Sequence, residues 1–204
     1  MSILKKNYIL ILSAIAGVAL TSCNFFSSGL NFTKPEDVKN LNGMLQKAIK
    51  KDMVVQQIMF YQTNNSSFSM NNDMAQIMYV DSADSRVNHA LDVNLKTGDI
   101  SLNELVEKQH AGGVALKGVK LDNFDFSKIP VAVNAAIAEV QKENISADGL
   151  GSFIVDFNSG DITKSTYDFS LQHRTGSQRM GRSVRYTYDE YNFSADFDGN
   201  LIKK

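Results

Sequence analysis

Tryptophan is absent from this 204-residue chain, cysteine occurs once and proline twice. A single thiol excludes an internal disulfide framework and a cysteine-rich zinc module. Two prolines exclude a proline-rich linker protein, and the lack of an indole weakens any reading as a sugar-stacking platform. An excess of one charge is missing as well: 21 Lys and Arg stand against 22 Asp and Glu. That balance leaves none of the basic footprint of a general nucleic-acid binder. The hydrophobic fraction of 43% is ordinary for a globular protein, so wholesale disorder is excluded too. The length fits one domain or two small ones.

What is present starts at the N-terminus. Lys5 and Lys6 form a short basic start, and residues 8–20 follow as an uncharged, mostly apolar run. That run is short for a bilayer span of about 20 residues but fits the apolar core of a secretory signal. It ends in Leu20-Thr21-Ser22-Cys23, which resembles the lipobox of bacterial lipoproteins. The resemblance implies removal of residues 1–22, lipid transfer to Cys23 and acylation of the new N-terminus, palmitate among the acyl groups. Several acyl chains hold a protein stably on a membrane where one does not. Asn24 is not the acidic residue that often retains such proteins at the inner membrane, so the resemblance points to the outer membrane. Residues 23–31 read as a lipidated tether. Cleavage also removes two lysines, so the mature chain is mildly acidic.

Two amphipathic helices follow. Thr33-Lys34-Pro35-Glu36 has the form of a capping box, and Val38, Leu41, Leu45, Ala48 and Ile49 recur at helical spacing behind it. Ile129, Val133, Ile137 and Val140 form a second stripe among helix-favouring alanines. Its lead-in, Phe126-Ser127-Lys128-Ile129-Pro130, echoes Phe32-Thr33-Lys34-Pro35 about 95 residues earlier. The rest predicts strands, at 57–63, 75–81, 166–173 and 183–197. Residues 93–101 (VNLKTGDIS) resemble 155–163 (VDFNSGDIT), and 195–201 (ADFDGNL) is a looser third copy. Each reads as a hairpin whose glycine takes a positive φ. In 183–197, Val184, Tyr186 and Tyr188 have one parity while Phe193, Ala195 and Phe197 have the other, which predicts a bulge or turn at Asp189-Glu190.

The expected fold class is α+β: a helix packed on an antiparallel β-meander, twice in tandem. The expected domains are residues 32–106, a Gly-containing connector at 107–125, and residues 126–204. A proline-led helix followed by strands with Thr-Gly or Asp-Gly hairpins, ending in Tyr191-Asn192-Phe193-Ser194-Ala195-Asp196-Phe197-Asp198-Gly199, resembles the PepSY-like domains, including the secreted or lipid-anchored group named after the β-lactamase-inhibitor protein. That resemblance covers the second half. It implies a small non-enzymatic domain whose sheet binds or inhibits a partner.

Catalytic signatures are missing: the chain has no nucleophile elbow, phosphate-binding loop, H-E-x-x-H or dinucleotide fingerprint. His89, His110 and His173 are scattered, and each is expected to be an ordinary strand or loop residue. Asp92, Asp156, Asp161, Asp196 and Asp198 gather around the hairpins, where turn chemistry is the expectation against a calcium site. Met53, Met59, Met70, Met74 and Met78 raise soft-metal chemistry, but core filling is the simpler expectation. No metal and no cofactor is expected.

One segment stands out. Arg174, Arg179, Arg182 and Arg185 are four of the five arginines, no acid occurs between Asp168 and Asp189, and Tyr186 and Tyr188 follow directly. Several guanidinium groups on a Gly/Ser-spaced loop suit phosphate or carboxylate recognition, and Arg and Tyr are enriched at interfaces. The bland alternative is a solvated hairpin loop. The expected function is a lipid-anchored, non-catalytic envelope protein that engages a protein or an anionic glycan through its sheet and this loop. A carrier of an apolar ligand between helix and sheet is the alternative, and an envelope hydrolase a more distant one.

Overall fold

A computed structural model describes residues 29–63, 69–81, 84–103, 117–121, 124–157 and 159–202. Cys23, the lipobox and His110 lie outside the described residues. In chain order the elements are β1 (Leu30–Asn31), α1 (Pro35–Ala48), β2 (Met53–Tyr61), β3 (Asn71–Asn72), β4 (Met74–Asp81), β5 (Asp84–Asn94), β6 (Ile100–Leu102), β7 (Val119–Lys120), α2 (Ile129–Gln141), β8 (Gly149–Asp156), β9 (Thr166–Met180) and β10 (Ser183–Asp196). Leu30 and Asn31, at the end of the stretch expected as a tether, pair with β3 and belong to the fold.

The architecture is α+β, with two helices on one face of an eight-stranded antiparallel sheet whose main path is ordered β10-β9-β8-β2-β4-β5-β6, and a separate two-stranded ladder of β1 and β3. β7 joins the free part of the β2 edge beside β8. The strands that follow α1 and those that follow α2 therefore meet at β2 and β8, the first long strand of each set. Across that seam Ile58 pairs with Val155 and Phe60 with Phe153.

Side-chain alternation divides the sheet into a buried and an open face. Val93, Ala75, Phe60, Phe153 and Phe169 form one fully or nearly fully buried row, and Ile77, Ile58, Val155, Tyr167 and Ala195 the next. α1 covers them with Val38, Leu41, Leu45 and Ala48, and α2 with Ile129, Val133 and Val140, as the helical stripes predict; in α2 Ala136 is buried as well, while Ile137 of the predicted stripe is only half-buried. Phe32 stands between α1 and the sheet, edge-on to Phe60 at 5.0 Å and to Phe153 at 5.2 Å between ring centres. Such aromatic contacts add about 0.5–1.5 kcal/mol each beyond the area they bury.

The helix starts depart from expectation. No side chain caps α1; Lys34 is the N-cap and Pro35 supplies the first helical φ. The Thr33 hydroxyl, expected to cap, donates instead to Asn31 Oδ1 at 2.7 Å, and Thr33 N donates to the same oxygen at 2.9 Å. The same turn precedes α2: Ser127 N and Oγ donate to the Asp125 carboxylate at 2.9 and 2.8 Å. The helices also exchange bonds across the molecule. Asn42 of α1 holds Asp125 Oδ1 and Phe126 N, and Asn134 of α2 donates to Thr33 O at 3.2 Å.

Gly98, Gly160 and Gly199 have φ of 78°, 73° and 87°, as the three similar segments predict. Their places in the fold differ. Residues 93–101 link β5 to β6 and residues 195–201 close with an Ala195–Leu201 bridge, both at the end of a third long strand, whereas residues 155–163 leave β8, a first strand. The most similar pair of segments is thus not the topologically equivalent one. The bulge predicted at Asp189-Glu190 is also displaced. β10 runs unbroken, and the irregularity lies on β9, where Thr175 is skipped between Gly176↔Thr187 and Arg174↔Tyr188.

Candidate functional site: an arginine–tyrosine arm

β8 pairs with β9 no further than Gln172, but β9 and β10 continue past it to the turn at Gly181-Arg182, where Gly181 has φ 63°. Eight residues of β9 and their partners therefore leave the sheet as a two-stranded arm, roughly 25 Å long at the usual strand rise. The expected Arg-rich loop is a pair of strands: only Gly181 and Arg182 form the turn. Good strand formers (Thr175, Val184, Tyr186, Thr187, Tyr188) carry it.

The skipped Thr175 decides which side chains share a face. Along β10 alternation is regular, so Tyr186, Tyr188 and Val184 face away from the helices, while Arg185, Thr187 and Asp189 lie on the helix side. On β9, Arg174 pairs with Tyr188, Ser177 with Tyr186 and Arg179 with Val184. Without the extra residue, Arg174 and Arg179 would point to opposite sides; the bulge turns Arg179 onto the face of Arg174. Arg174, Arg179, Tyr186 and Tyr188 thus form one stripe. Arg182 sits at the tip and Arg185 on the other side, so four of the six expected residues come together.

Within the stripe the Arg174 guanidinium lies 5.3 Å from the Tyr186 ring centre, a cation–π contact that holds the charge over the ring. Arg179 Nε donates to Gly181 O at 3.2 Å and ties its base to the turn. Arg174, Arg179, Val184 and Tyr188 are all exposed.

The base of the arm is pinned by Asp148, just before β8. Its Oδ2 accepts from Arg174 N at 2.8 Å, and its own N–H donates to Gln172 O at 2.8 Å. The Arg174 amide holds the Asp148 carboxyl below the usual carboxylate range, with Ser146, His173 and the Arg174 charge adding to it. His173 Nδ1 lies 3.3 Å from Asp148 Oδ2, 3.1 Å from Ser146 Oγ and 3.0 Å from Ser146 O. Sequence reasoning left His173 without a carboxylate partner, and no spacing rule finds one 25 positions upstream on a different element. A Ser, a His and an Asp do meet here, but not as a hydrolytic relay. All three contacts converge on Nδ1, whereas general-base catalysis needs hydroxyl and carboxylate on opposite ring nitrogens. The Ser146 hydroxyl donates to Asp148 Oδ1 at 3.2 Å instead.

The other candidates are dispersed. The His89 ring stacks on Tyr79 at 5.3 Å on the helix side of β5 and β4. Asp161 accepts from Thr163 N and Oγ1 at the short 3-10 turn Ile162–Lys164. Asp196 accepts from Asp198 N and from Asn200 N and Nδ2 in the closing turn. Asp92 takes bonds from Gln76 and Asn103 on the open face, and Asp156 pairs with Gln57 across the seam. Asp198 lies exposed in that last turn. Among the described residues no three His, Cys, Asp or Glu side chains gather closely enough to hold a metal ion. Met53 is buried, but Met59, Met74 and Met78 are half-buried on the open face rather than in the core. No helix among the described residues is long and apolar enough to cross a membrane. Compared with family models, with curated proteins and with solved structures, the chain finds no match.

Proposed function

We propose that the protein is a lipid-anchored binding protein of the bacterial cell envelope, held at the outer membrane by acyl groups on Cys23, with no catalytic step of its own. It engages a protein or an anionic glycan through the arm and the adjoining sheet. The observation that carries this reading is the stripe of Arg174, Arg179, Tyr186 and Tyr188 on an arm that buries no core. A hairpin that projects roughly 25 Å and presents guanidinium groups beside aromatic rings combines charge steering with the residue types that dominate interface energetics. The lipobox supports the anchor. Phe32, wedged against Phe60 and Phe153, fills the space beneath α1 that an apolar ligand would need, which favours binding at the surface over the carrier reading.

The two helix-plus-sheet halves are proposed to be a tandem duplication of PepSY-like form. Supporting it are the twin Asn31/Thr33 and Asp125/Ser127 turns and the meeting of first strands at the seam. A shift of about 95 residues also carries Val38, Leu41 and Leu45 onto Val133, Ala136 and Val140, all buried.

The test is capture from detergent-solubilised envelope with the full chain as bait, alongside palmitate labelling. Arg174→Ala with Arg179→Ala is expected to reduce specific capture at least tenfold, while Lys39→Ala with Lys47→Ala, the same charge loss on α1, leaves it unchanged. Cys23→Ala is expected to abolish the label. Equal capture by both double variants would retire the arm as the site, and persistent labelling would retire the anchor.

A further inference from the structure

The arm and the N-terminal segment of the described chain share one end of the sheet. There β2 and β8 stop side by side: Gln62 Nε2 donates to Leu150 O at 3.3 Å, and Leu150 N donates to Ser69 O at 2.9 Å. The arm starts at the same level, where Gly149 pairs with Gln172. The β1–β3 ladder lies across this end, with Leu30 opposite Asn72 and the next residue, Asp73, donating its N–H to Tyr61 O at 3.1 Å. Gly29 lies so close to Asn72 and Asp73 that a Cβ there would meet Asn72 O at 2.3 Å. The chain therefore enters the body from the end that carries the arm. Cys23 lies seven positions before Leu30, and seven residues span at most about 25 Å even when fully extended. The arm projects by roughly the same 25 Å. An acyl anchor on Cys23 thus holds the body no further from the bilayer than the arm is long, which brings the turn of the arm within reach of the membrane surface.

The side chains around that turn suit such a surface. From Arg179 to Arg185 there are three arginines and no acid. Met180 and Val184 stand 59% and 48% exposed. Alternation places Val184 on the face of its partner Arg179, and Met180 on the opposite face with Arg185. Each face of the tip thus ends in one apolar side chain and one guanidinium group, and Arg182 occupies the turn between them. A protein that docks on one face of a hairpin leaves the other in water, whereas a lipid surface entered by the turn surrounds both. At the headgroup boundary the apolar side chains leave water. Guanidinium groups bond phosphate oxygens in pairs, and their long stems keep the charge at headgroup level while neighbouring side chains go deeper.

We propose that the turn of the arm is a second membrane contact. Met180 and Val184 enter the headgroup boundary of the leaflet that holds the Cys23 acyl groups, and Arg179, Arg182 and Arg185 bind the phosphates of anionic phospholipids there. Two attachments then hold the body, the acylated N-terminus and the arm, and together they turn one end of the sheet towards the bilayer. The inference rests on the lipid anchor proposed above but not on the envelope partner, because the tip shares only Arg179 with the stripe.

Fluorescence from a label at the tip of the acylated protein tests it, in vesicles of phosphatidylcholine with about a third phosphatidylglycerol. Acylation blocks Cys23, so a thiol introduced by Met180→Cys is the only one to take a nitrobenzoxadiazole label. Its emission is expected to shift to the blue, and nitroxides on the upper acyl chains to quench it at least threefold. Val184→Cys, on the other face, is expected to respond equally. Lys47→Cys, exposed near the C-terminal end of α1, is expected to show neither effect. Adding Arg182→Glu and Arg185→Glu to Met180→Cys, or replacing the anionic lipid by phosphatidylcholine, is expected to cut the quenching at least threefold while the anchor keeps the chain on the vesicle. A tip label that stays unquenched on the anchored chain, quenching on one face only, or quenching indifferent to both charge changes would overturn the proposal. So would a blue shift that grows with protein density but ignores the lipid nitroxides, which would put a second copy at the turn. Label entering Cys23 of the unsubstituted chain would overturn the anchor, and this proposal with it.

Discussion

Asp73 shows how much one carboxylate can organise. It is nearly buried between β3 and β4, and its oxygens accept from Thr63 N at 2.7 Å, Thr63 Oγ1 at 2.8 Å and Lys96 Nζ at 2.9 Å. Its backbone bonds Tyr61 O and Leu95 N, so one residue joins the ends of β2 and β5. Burial raises its pKa, but the bonds from Lys96 and Thr63 outweigh that and hold the carboxyl below its ordinary range. The stabilisation is therefore complete above the unfolded value of about 4 and is lost as pH falls through the lower folded value. Asp73→Asn is expected to cost about 2 kcal/mol at pH 7 and to flatten the fall of the denaturation midpoint between about pH 5 and pH 3. An unchanged acid limb would refute this role. Nothing in the local sequence marks Asp73, because its partners lie 10 and 23 positions away. The capping-box pattern is present at Thr33, but α1 begins one residue later, with Lys34 as N-cap, so the Thr33 hydroxyl is out of place to accept from the helix N–H groups and donates to Asn31 Oδ1. Tyr167 is fully buried and its hydroxyl has no partner among the described residues. Tyr167→Phe is expected to leave stability unchanged or raise it by about 1 kcal/mol in urea denaturation; a clear loss would reveal a bond to this hydroxyl.

Among the elements, the two helices were the legible ones, whereas β5 and the central β8, which carry the buried Val93, Phe153 and Val155, were not among the expected strands. Val38, Leu41, Leu45 and Ala48 are buried as the α1 period requires, and Ile129, Val133 and Val140 as the α2 period requires. Parity marks a buried face only where something covers the sheet: beyond Gln172 no helix covers the arm, and Val184 and Tyr188 are exposed. The clustering of arginines and tyrosines was visible in the sequence; their division between two faces was not, since it depends on one skipped residue in the partner strand. Because the arm contributes no buried core, its removal has a clear expected signature. Replacing residues 177–186 by Asn-Gly between the hydrogen-bonded pair Gly176 and Thr187 is expected to leave the thermal midpoint within about 3 °C of the parent, a change worth under about 1 kcal/mol. The same change is expected to eliminate partner capture. A large drop in the midpoint would mean that the arm supports the fold.

At the scale of the whole molecule, two sets of strands make the large sheet, and its centre is the β2–β8 seam. Phe60 faces Phe153 across it, and Phe32 from the chain's beginning packs on both. Each helix lies on strands of its own set, α1 on β5 and α2 on β9 and β10, while the β2–β8 pairing and Phe32 tie the two sets together. Residues 29–121 and 124–202 expressed separately are expected to lack cooperative unfolding, and mixing them to restore near-parent circular dichroism; two independently folded halves would contradict this. Sequence similarity pairs the wrong segments: 93–101 returns as β6, but 155–163, expected as a hairpin, leaves β8 through the turn at Gly160 into the 3-10 turn Ile162–Lys164, because a Gly-centred turn serves any tight strand exit. The seam also imposes an order of events on a chain made from its N-terminus. α1, β2, β4 and β5 emerge first and can associate, yet β2 then shows Ile58 and Phe60 beside a bare central edge until β8 follows, some 90 residues later. Pairings so distant in sequence form slowly. A nascent chain that stops before β8 is thus expected to be adhesive, and to stick to other unfinished copies unless they are kept apart until those residues arrive.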